Sequence, residues 1–372
     1  MKHVVLIAGT RPECLKLAPV WRALGEAETP RLFLAVQQHI GLLEQHLDEA
    51  QIKPDLTMPV SRDGPGNLNQ LLSRAIEAAD QGLRRLDLDH GIGCVLVQGD
   101  TATAFAGAIA AFHLELPVGH VEAGLRSWRN DSPFPEEGYR RMISQIATAH
   151  YAPTKAALDN LCASTDTRGY YTGNTSVDQL LHDLPLSKIT YASDKPIILV
   201  TLHRREGLER IPAACDALAG LAGDFQIYWP AHPNPLVQRK IHACGQEMLP
   251  PLLHAEFCQL LASSAAVVTD SGGVIEEAAT LGISTFILRD ATERQEAIDA
   301  GIAELVPEGE LSTLVDRVRS TVHERQKAPV SSAPPGYSGP APVLVQGVRI
   351  LPIFGDGQAG ERIAELAREL VK

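Results

Sequence analysis

The run AGTRPECLKLAPV, residues 8–20, leaves an apolar segment through a glycine turn and enters a helix that begins near Pro12. Proline suits a first helical turn. Arg11 and Lys16 then lie near a helix N-terminus, whose unpaired N–H groups and dipole attract phosphate. A well-capped helix with two surface cations is the plainer reading of the same residues. The run VVTDSGGVIEEAATLG, residues 267–282, has a similar form: Ser271, Gly272 and Gly273 make a strand-to-helix turn, with Glu276 and Glu277 on the new helix. Glycines let backbone N–H groups approach a diphosphate, and a carboxylate on that helix suits the hydroxyls of a ribose. The spacing is neither G-x-G-x-x-G nor a Walker loop, which removes support for nicotinamide and ATP readings.

Three further stretches carry charge at the ends of apolar runs. LVTLHRREGLER, residues 199–210, sets His203 beside Arg204, Arg205 and Glu206, a combination that suits an anionic substrate. RDATERQEA, residues 289–297, adds Arg289 and Arg294. LVQGDTATAFAGAIAAF, residues 96–112, ends an apolar run at Asp100 and opens an alanine-rich helix at Thr101 and Thr103. By itself an aspartate there reads as a helix N-cap. Harder to explain is HVEAGLRSWRNDSPFPEEGYRR, residues 120–141, which places Glu122, Glu136 and Glu137 among arginines and prolines. Acids that only solvate a helix recur at helical spacing opposite lysines, whereas these follow directly on the strand-like LPVGHV.

The elements that must hold these clusters alternate along the whole chain. HVVLIA (3–8), RLFLAV (31–36), CVLVQ (94–98) and LPVGHV (116–121) read as buried strands, with helices near 13–27, 67–85, 101–114 and 136–148. After a polar stretch at 182–196 the pattern restarts with PIILVT (196–201) and continues through FQIYWPA (225–231), AAVVTD (265–270) and STFIL (284–288). Repeated βα units predict parallel sheets with helices on both faces. The expected class is α/β with two doubly wound Rossmann-like domains. These are an N-terminal domain over 1–175 and a nucleotide-binding domain over 176–355, with a final helix over 356–372 that joins the first. Residues 328–343, rich in Pro, Gly and Ser, predict a loop. In open α/β sheets ligands bind beyond the carboxyl ends of the strands, where all six clusters fall.

Composition narrows the partners. A chain of 372 residues, 45% hydrophobic and 21% charged, is an ordinary globular protein of about two domains. The net charge of −12 argues against nucleic acid and anionic membrane, both of which demand clustered cations. Six scattered cysteines (Cys14, Cys94, Cys162, Cys215, Cys244 and Cys258) form no C-x-x-C pair or metal spacing and suit a reducing compartment. The start MKHVVLIAGTRPE has too short an apolar run for a signal peptide, so a cytoplasmic protein without a membrane span is expected.

Read together and in order, GTRPE (9–13), QGDTATA (98–104), HVEAGLRS (120–127), PFPEEGYRR (133–141), TGNTSVD (172–178), HRREG (203–207), TDSGGVIEEA (269–278), RDATERQEA (289–297) and GDGQAGERI (355–363) resemble the non-hydrolysing UDP-N-acetylglucosamine 2-epimerases. The resemblance implies a glycosyltransferase-B architecture with the UDP-sugar in a cleft between domains, a homodimer, and no cofactor or metal. It implies inversion at C2 by elimination and re-addition of UDP across a glycal. By matching position, Asp100, Glu122 and Glu136 become the acid–base carboxylates, with His203 beside them. Arg11, Lys16, Arg140, His232, Phe257, Ser271, Gly272, Gly273, Glu277 and Arg294 become substrate-binding, with Glu277 at the ribose and Glu137 in support. For His232 a helix-start role is an equal reading. Two acids facing opposite sides of C2 suit the chemistry, because the proton leaves one face and returns to the other; which acid serves which face stays open.

Three departures stand out. Leu202 replaces a family glycine before the His-Arg-Arg-Glu run, and His254 stands where an aromatic is expected, with Phe257 keeping the second. A second, activating UDP-GlcNAc site uses a Gln-His-x-x-Gln run and an Arg-Gln pair in the family. Here the first reads QHIG (38–41), with Gly41, and the second falls around Pro65 and Gly66, so that site is expected to be weakened or absent. Leu202 and Tyr139 also raise a modified sugar, such as a 2,3-diacetamido sugar or uronic acid, as an alternative substrate. A hydrolysing relative that releases N-acetylmannosamine and UDP, a glycosyltransferase, and a non-catalytic binding protein complete the alternatives.

Overall fold

The computed structural model describes residues 2–37, 42–60, 67–162, 168–187, 189–191, 193–232, 234–327, 334 and 336–371. The QHIG run and residues 61–66, on which the second-site expectation turns, lie outside the described residues. The chain divides into two compact units, 1–179 with 355–372 and 180–354.

The first unit alternates β1 (His3–Ala8), α1 (Arg11–Glu26), β2 (Arg31–Gln37), α2 (Leu42–Glu49), β3 (Leu56–Pro59), α3 (Leu68–His90), β4 (Ile92–Gln98), α4 (Ala102–His113), β5 (Val118–Val121), α5 (Glu136–Ile146), β6 (Ala149–Ala152), α6 (Lys155–Cys162) and β7 (Arg168–Tyr171), and leads into α7 (Thr175–Asp183). Its seven strands run parallel in the order β3-β2-β1-β4-β5-β6-β7. Successive strand residues face opposite sides of a sheet. Val5, Ile7, Leu34, Val95 and Val97 therefore pack under α3 and α4, while Val4, Leu6, Phe33 and Leu96 pack on the other side. Both faces are covered, which is why these strands read as unbroken apolar runs rather than alternating ones. Each fully buried aliphatic side chain contributes about 1.5–3 kcal/mol to that closure.

The second unit contains β8 (Ile197–Thr201), α8 (Ile211–Ala219), β9 (Gln226–Tyr228), α9 (Pro235–Ala243), α10 (His254–Ala262), β10 (Ser264–Thr269), α11 (Gly272–Thr280), β11 (Ser284–Ile287), α12 (Gln295–Asp299), β12 (Ala303–Leu305), α13 (Leu314–Lys327) and a small hairpin, β13 (Val343–Val345) with β14 (Val348–Ile350). Its five-stranded parallel sheet has the order β12-β11-β10-β8-β9, again with apolar residues of alternate parity on its two sides. The last helix, α14 (Ala359–Leu370), sets Ile363, Ala364 and Ala367 into the core of the first unit beside α1.

Several boundaries differ from the sequence expectation. The short strands β3, β6, β7 and β12 have too few residues to show a pattern, and FQIYWPA supplies strand only over Gln226–Tyr228. Helix α4 begins one residue late because Thr101, not Asp100, is its cap: the Thr101 hydroxyl accepts the Ala104 N–H at 3.0 Å. Among the described residues no helix is long and apolar enough to cross a membrane.

Candidate functional site

In a doubly wound sheet the strand order reverses at one point, and the loops leaving the two strands there diverge to open a crevice. In the first unit that point lies between β1 and β4. The loop after β1 leads into the first turn of α1, which carries Arg11 and Glu13, and the loop after β4 carries Gly99, Asp100 and Thr101. Gly99 makes this turn at a φ of 71°, left-handed backbone that a glycine adopts without steric cost.

Glu13 locks the two loops together. Its side chain is fully buried; Oε2 accepts the Gly9 N–H at 3.0 Å and the Thr10 hydroxyl at 2.8 Å, while Oε1 accepts the Thr101 hydroxyl at 2.5 Å. Burial raises the Glu13 pKa against the lowering effect of Thr101, Thr10 and Gly9. The β4–α4 turn has a second brace. Nε2 of His120 lies 2.7 Å from the carbonyl of Gly99, and a carbonyl only accepts, so this nitrogen carries the proton. Burial above all, then the neighbouring His150, pushes His120 down to about 3, so the brace is neutral.

The predicted acids stand around these loops. Asp100 pairs with the buried Arg140 of α5, which also reaches Glu137 at 3.5 Å. Glu122, just beyond β5, accepts from Gln98 and from the ammonium of Lys16 at 2.7 Å. Its backbone φ is 64°, a left-handed conformation that costs a non-glycine residue about 1 kcal/mol or more and so marks a constrained position. Glu136 is the first residue of α5 and half-buried. Glu137, one residue on, is wholly buried and accepts the Ser127 N–H at 3.0 Å. Contacts across 106 residues (Lys16 to Glu122) and 40 (Asp100 to Arg140) set two carboxylate–cation pairs beyond the ends of the neighbouring strands β4 and β5. Asp100 keeps 26% of its side chain exposed and Lys16 12%. Arg11 pairs with Glu49 of α2 at 3.1 Å.

The second sheet reverses between β8 and β10, and there too one acid ties the loops. Asp270 accepts the His203 N–H at 3.0 Å and the Arg204 N–H at 2.9 Å through Oδ2. The His203 ring lies parallel to His232, with centroids 4.7 Å apart. Ser271 precedes α11 without a side-chain cap, so its hydroxyl is not consumed by the helix. A Cβ added at Gly272 would fall 2.8 Å from Cζ of Arg294, so glycine here lets a guanidinium lie on the start of α11. Among the described residues, no atom outside its own helix and chain neighbours lies within 4 Å of a Cβ built at Gly273, so that glycine has no such packing reason. Arg294 itself bonds Glu276 at 2.8 Å and Glu293 at 2.6 Å. Glu277 is held by His254, and Phe257 packs half-buried against the smaller apolar cluster.

Two sequence expectations need correction. Leu202 does not crowd a ligand: its side chain, 5% exposed, lies in the apolar core with Ile198, Val200 and Phe286. Tyr139 is likewise in the core, stacked on Phe105 at 5.1 Å. Glu13, Gln98, Asp183 and Asp270 take structural parts that the sequence reading did not assign. Only Asp270 had a visible signal, an acid ending a strand directly before Ser-Gly-Gly.

A family model described as UDP-N-acetylglucosamine 2-epimerase matches residues 26–368. The UDP-N-acetylglucosamine 2-epimerase of Bacillus subtilis (strain 168) is 34% identical over 382 residues, covering 97% of this chain and 94% of the relative. That of Escherichia coli (strain K12) is 35% identical over 387 residues, covering 97% of each. Among solved structures, the Neisseria meningitidis UDP-GlcNAc 2-epimerase bound to UDP-GlcNAc superposes with a TM-score of 0.84 at 31% identity, covering 99% of this chain and all of that one.

Proposed function

The chain belongs to the UDP-N-acetylglucosamine 2-epimerase family, and we propose that it interconverts UDP-GlcNAc and UDP-ManNAc through a 2-acetamidoglucal. The observation that carries the reading is that Asp100, beyond β4, and Glu122, beyond the neighbouring β5, each lie beside a cation at the carboxyl edge of the first sheet.

The C2 hydrogen is weakly acidic, so its removal must be coupled to departure of the nucleotide. A carboxylate takes the C2 proton, the C–H electron pair becomes the C1–C2 double bond, and the C1–O bond breaks with its pair going to UDP. Return of UDP to C1 and of a proton to the opposite face of C2 gives the epimer. Opposed acids serve the two faces, and Asp100, Glu122 and Glu136 are the residues assigned to them. The sequence is redox-neutral and calls for no cofactor. Arg140 and Lys16 orient the carboxylates. In the second unit Ser271, Gly272 and the N–H groups opening α11 receive the diphosphate, with Arg294, His203 and His232 at its charge, Glu277 at the ribose and Phe257 at the base. Helix N–H groups and cations stabilise charge as it develops on the leaving phosphate. Arg11 completes the cation set in the first unit by exchanging its partner Glu49 for substrate.

The modified-sugar reading loses its two supports, since Leu202 and Tyr139 pack in cores. We read the protein as a cytoplasmic homodimer, a state that sedimentation measures directly. Its response to a second UDP-GlcNAc is expected to be weak, so initial rates should rise hyperbolically with UDP-GlcNAc and without a lag.

The deciding experiment incubates the enzyme with UDP-GlcNAc in heavy water and follows C2 by NMR. Deuterium at C2 of both UDP-sugars, with the nucleotide retained, is the expected result. Release of free N-acetylmannosamine would replace it with a hydrolase, and absence of exchange until an acceptor is added would replace it with a transferase.

A further inference from the structure

Glu277, the carboxylate assigned to the ribose, is gripped from behind by a histidine. His254, the first residue of α10, is buried; its Nε2 lies 3.0 Å from Oε1 of Glu277 on α11 and its Nδ1 2.7 Å from Oδ2 of Asp183 at the end of α7. The other Asp183 oxygen meets Nδ1 of His182 at 2.8 Å. Cys258, one turn along α10, places its sulfur 3.6 Å from Nδ1 of His254. Among the described residues Oε2 of Glu277 takes no hydrogen bond, and the side chain keeps 10% of its surface exposed.

An imidazole flanked by two carboxylates satisfies both only when each ring nitrogen carries a proton, because the neutral ring has a single N–H. Burial pulls His254 toward the neutral form, but its hydrogen bonds to the carboxylates of Asp183 and Glu277 oppose this and hold the ring well above the usual histidine range. The Cys258 thiol is pushed up to about 11, chiefly by burial, and stays protonated at neutral pH. The charges facing the ring from α7 and α11 are therefore the two carboxylates, with His182 beyond Asp183.

We propose that His254 is a positioning residue for nucleoside recognition: anchored on Asp183, its doubly protonated ring fixes Oε1 of Glu277 and so presents Oε2 to a ribose hydroxyl. A carboxylate alone on a helix samples several rotamers; one oxygen pinned by a charged donor leaves the other with a set direction. The proposal rests on the assignment of Glu277 to the ribose. It deepens that reading by giving the ribose contact a dependence on the His254 proton. The contact should be fully present while the ring is doubly protonated and fade as pH rises through its raised pKa.

The test is calorimetric titration of the full chain with UDP and with its 2′-deoxy and 3′-deoxy forms. The proteins compared are wild type, His254→Gln, Glu277→Gln and the double variant. Wild type should prefer UDP over one deoxy form by about tenfold or more. His254→Gln should reduce that preference to the level of Glu277→Gln, with the double variant no lower. If His254→Gln weakens UDP and both deoxy forms alike and keeps the preference, its role is only structural and the proposal falls while the ribose assignment stands. If wild type shows no preference, the ribose assignment falls with it, and if wild type does not bind UDP the proposed function falls as well. A measurement that needs no variant is the nitrogen-15 spectrum of the imidazole. Two protonated nitrogens on His254 at pH 7 are expected, and a neutral ring there would overturn the proposal.

Discussion

The Asp270 carboxylate at the end of β10 receives the backbone N–H of His203, the second residue after β8, at 3.0 Å. With the Arg204 N–H on the same oxygen, the two loops at the switch point of the second sheet form a single hydrogen-bonded turn. Hydrogen bonds to a buried charged group contribute roughly 1.5–3 kcal/mol each. Asp270→Ala should therefore destabilise the protein by several kcal/mol, and Asp270→Asn, which keeps one acceptor, by less. In the milder variant the His203 turn loosens, and kcat for epimerisation should fall more than tenfold while unfolding stays cooperative. Thermal melts beside initial rates check this.

The three acids of the first unit make separable predictions. General acid–base groups contribute about 10²–10⁴-fold to a rate, so Asp100→Asn, Glu122→Gln and Glu136→Gln should each cut C2 exchange in heavy water by that order. UDP affinity should change by less than tenfold. A variant with normal exchange would remove its residue from the scheme.

Gly272→Ala tests the close approach in the second unit. The new methyl would sit 2.8 Å from Cζ of Arg294, whose guanidinium is held by Glu276 and Glu293 and cannot retreat without breaking those pairs. Overpacking of this kind costs about 1–3 kcal/mol. The dissociation constant for UDP should rise by roughly tenfold, as calorimetry will read. Gly273→Ala, built into open space, should change it far less.

Asp178 predicts a pH dependence of stability. It accepts the Gly360 N–H at 2.7 Å at the start of α14, its Oδ2 is buried without a partner among the described residues, and burial raises its pKa from 3.8 to about 6. A folded pKa above the unfolded one means stability that is complete below pH 3.8 and is lost as pH climbs to 6. The loss is about 3 kcal/mol at 1.36 kcal/mol per pKa unit. In Asp178→Asn the amide oxygen still accepts the Gly360 N–H and carries no charge. The difference in unfolding free energy between variant and wild type, followed by denaturant titration, should grow in the variant's favour from pH 4 to pH 7.

Strong local signals made much of the fold readable in advance. Strands such as HVVLIA and IILVT are unbroken apolar runs because helices cover both faces of a parallel sheet, and proline and glycine mark helix starts and turns whatever lies elsewhere in the chain. Strands of three or four residues, such as β3 and β12, carry too few side chains to show a period. The His254 environment was illegible for a different reason. Its partners Asp183 and Glu277 lie 71 and 23 residues away, and nothing local to a histidine tells whether it will meet a nucleobase or two carboxylates.

The sequence by itself determined which residues stand at strand ends, because hydrophobic period and turn chemistry are properties of neighbouring residues. Only the tertiary structure decided which strand ends lie side by side. Sheet order brings the loop after β1 to the loop after β4, and the loop after β8 to the loop after β10. That order comes from packing over the whole unit, so the pairing of Lys16 with Glu122, of Arg140 with Asp100 and of Asp270 with His203 exists only once the sheets have closed.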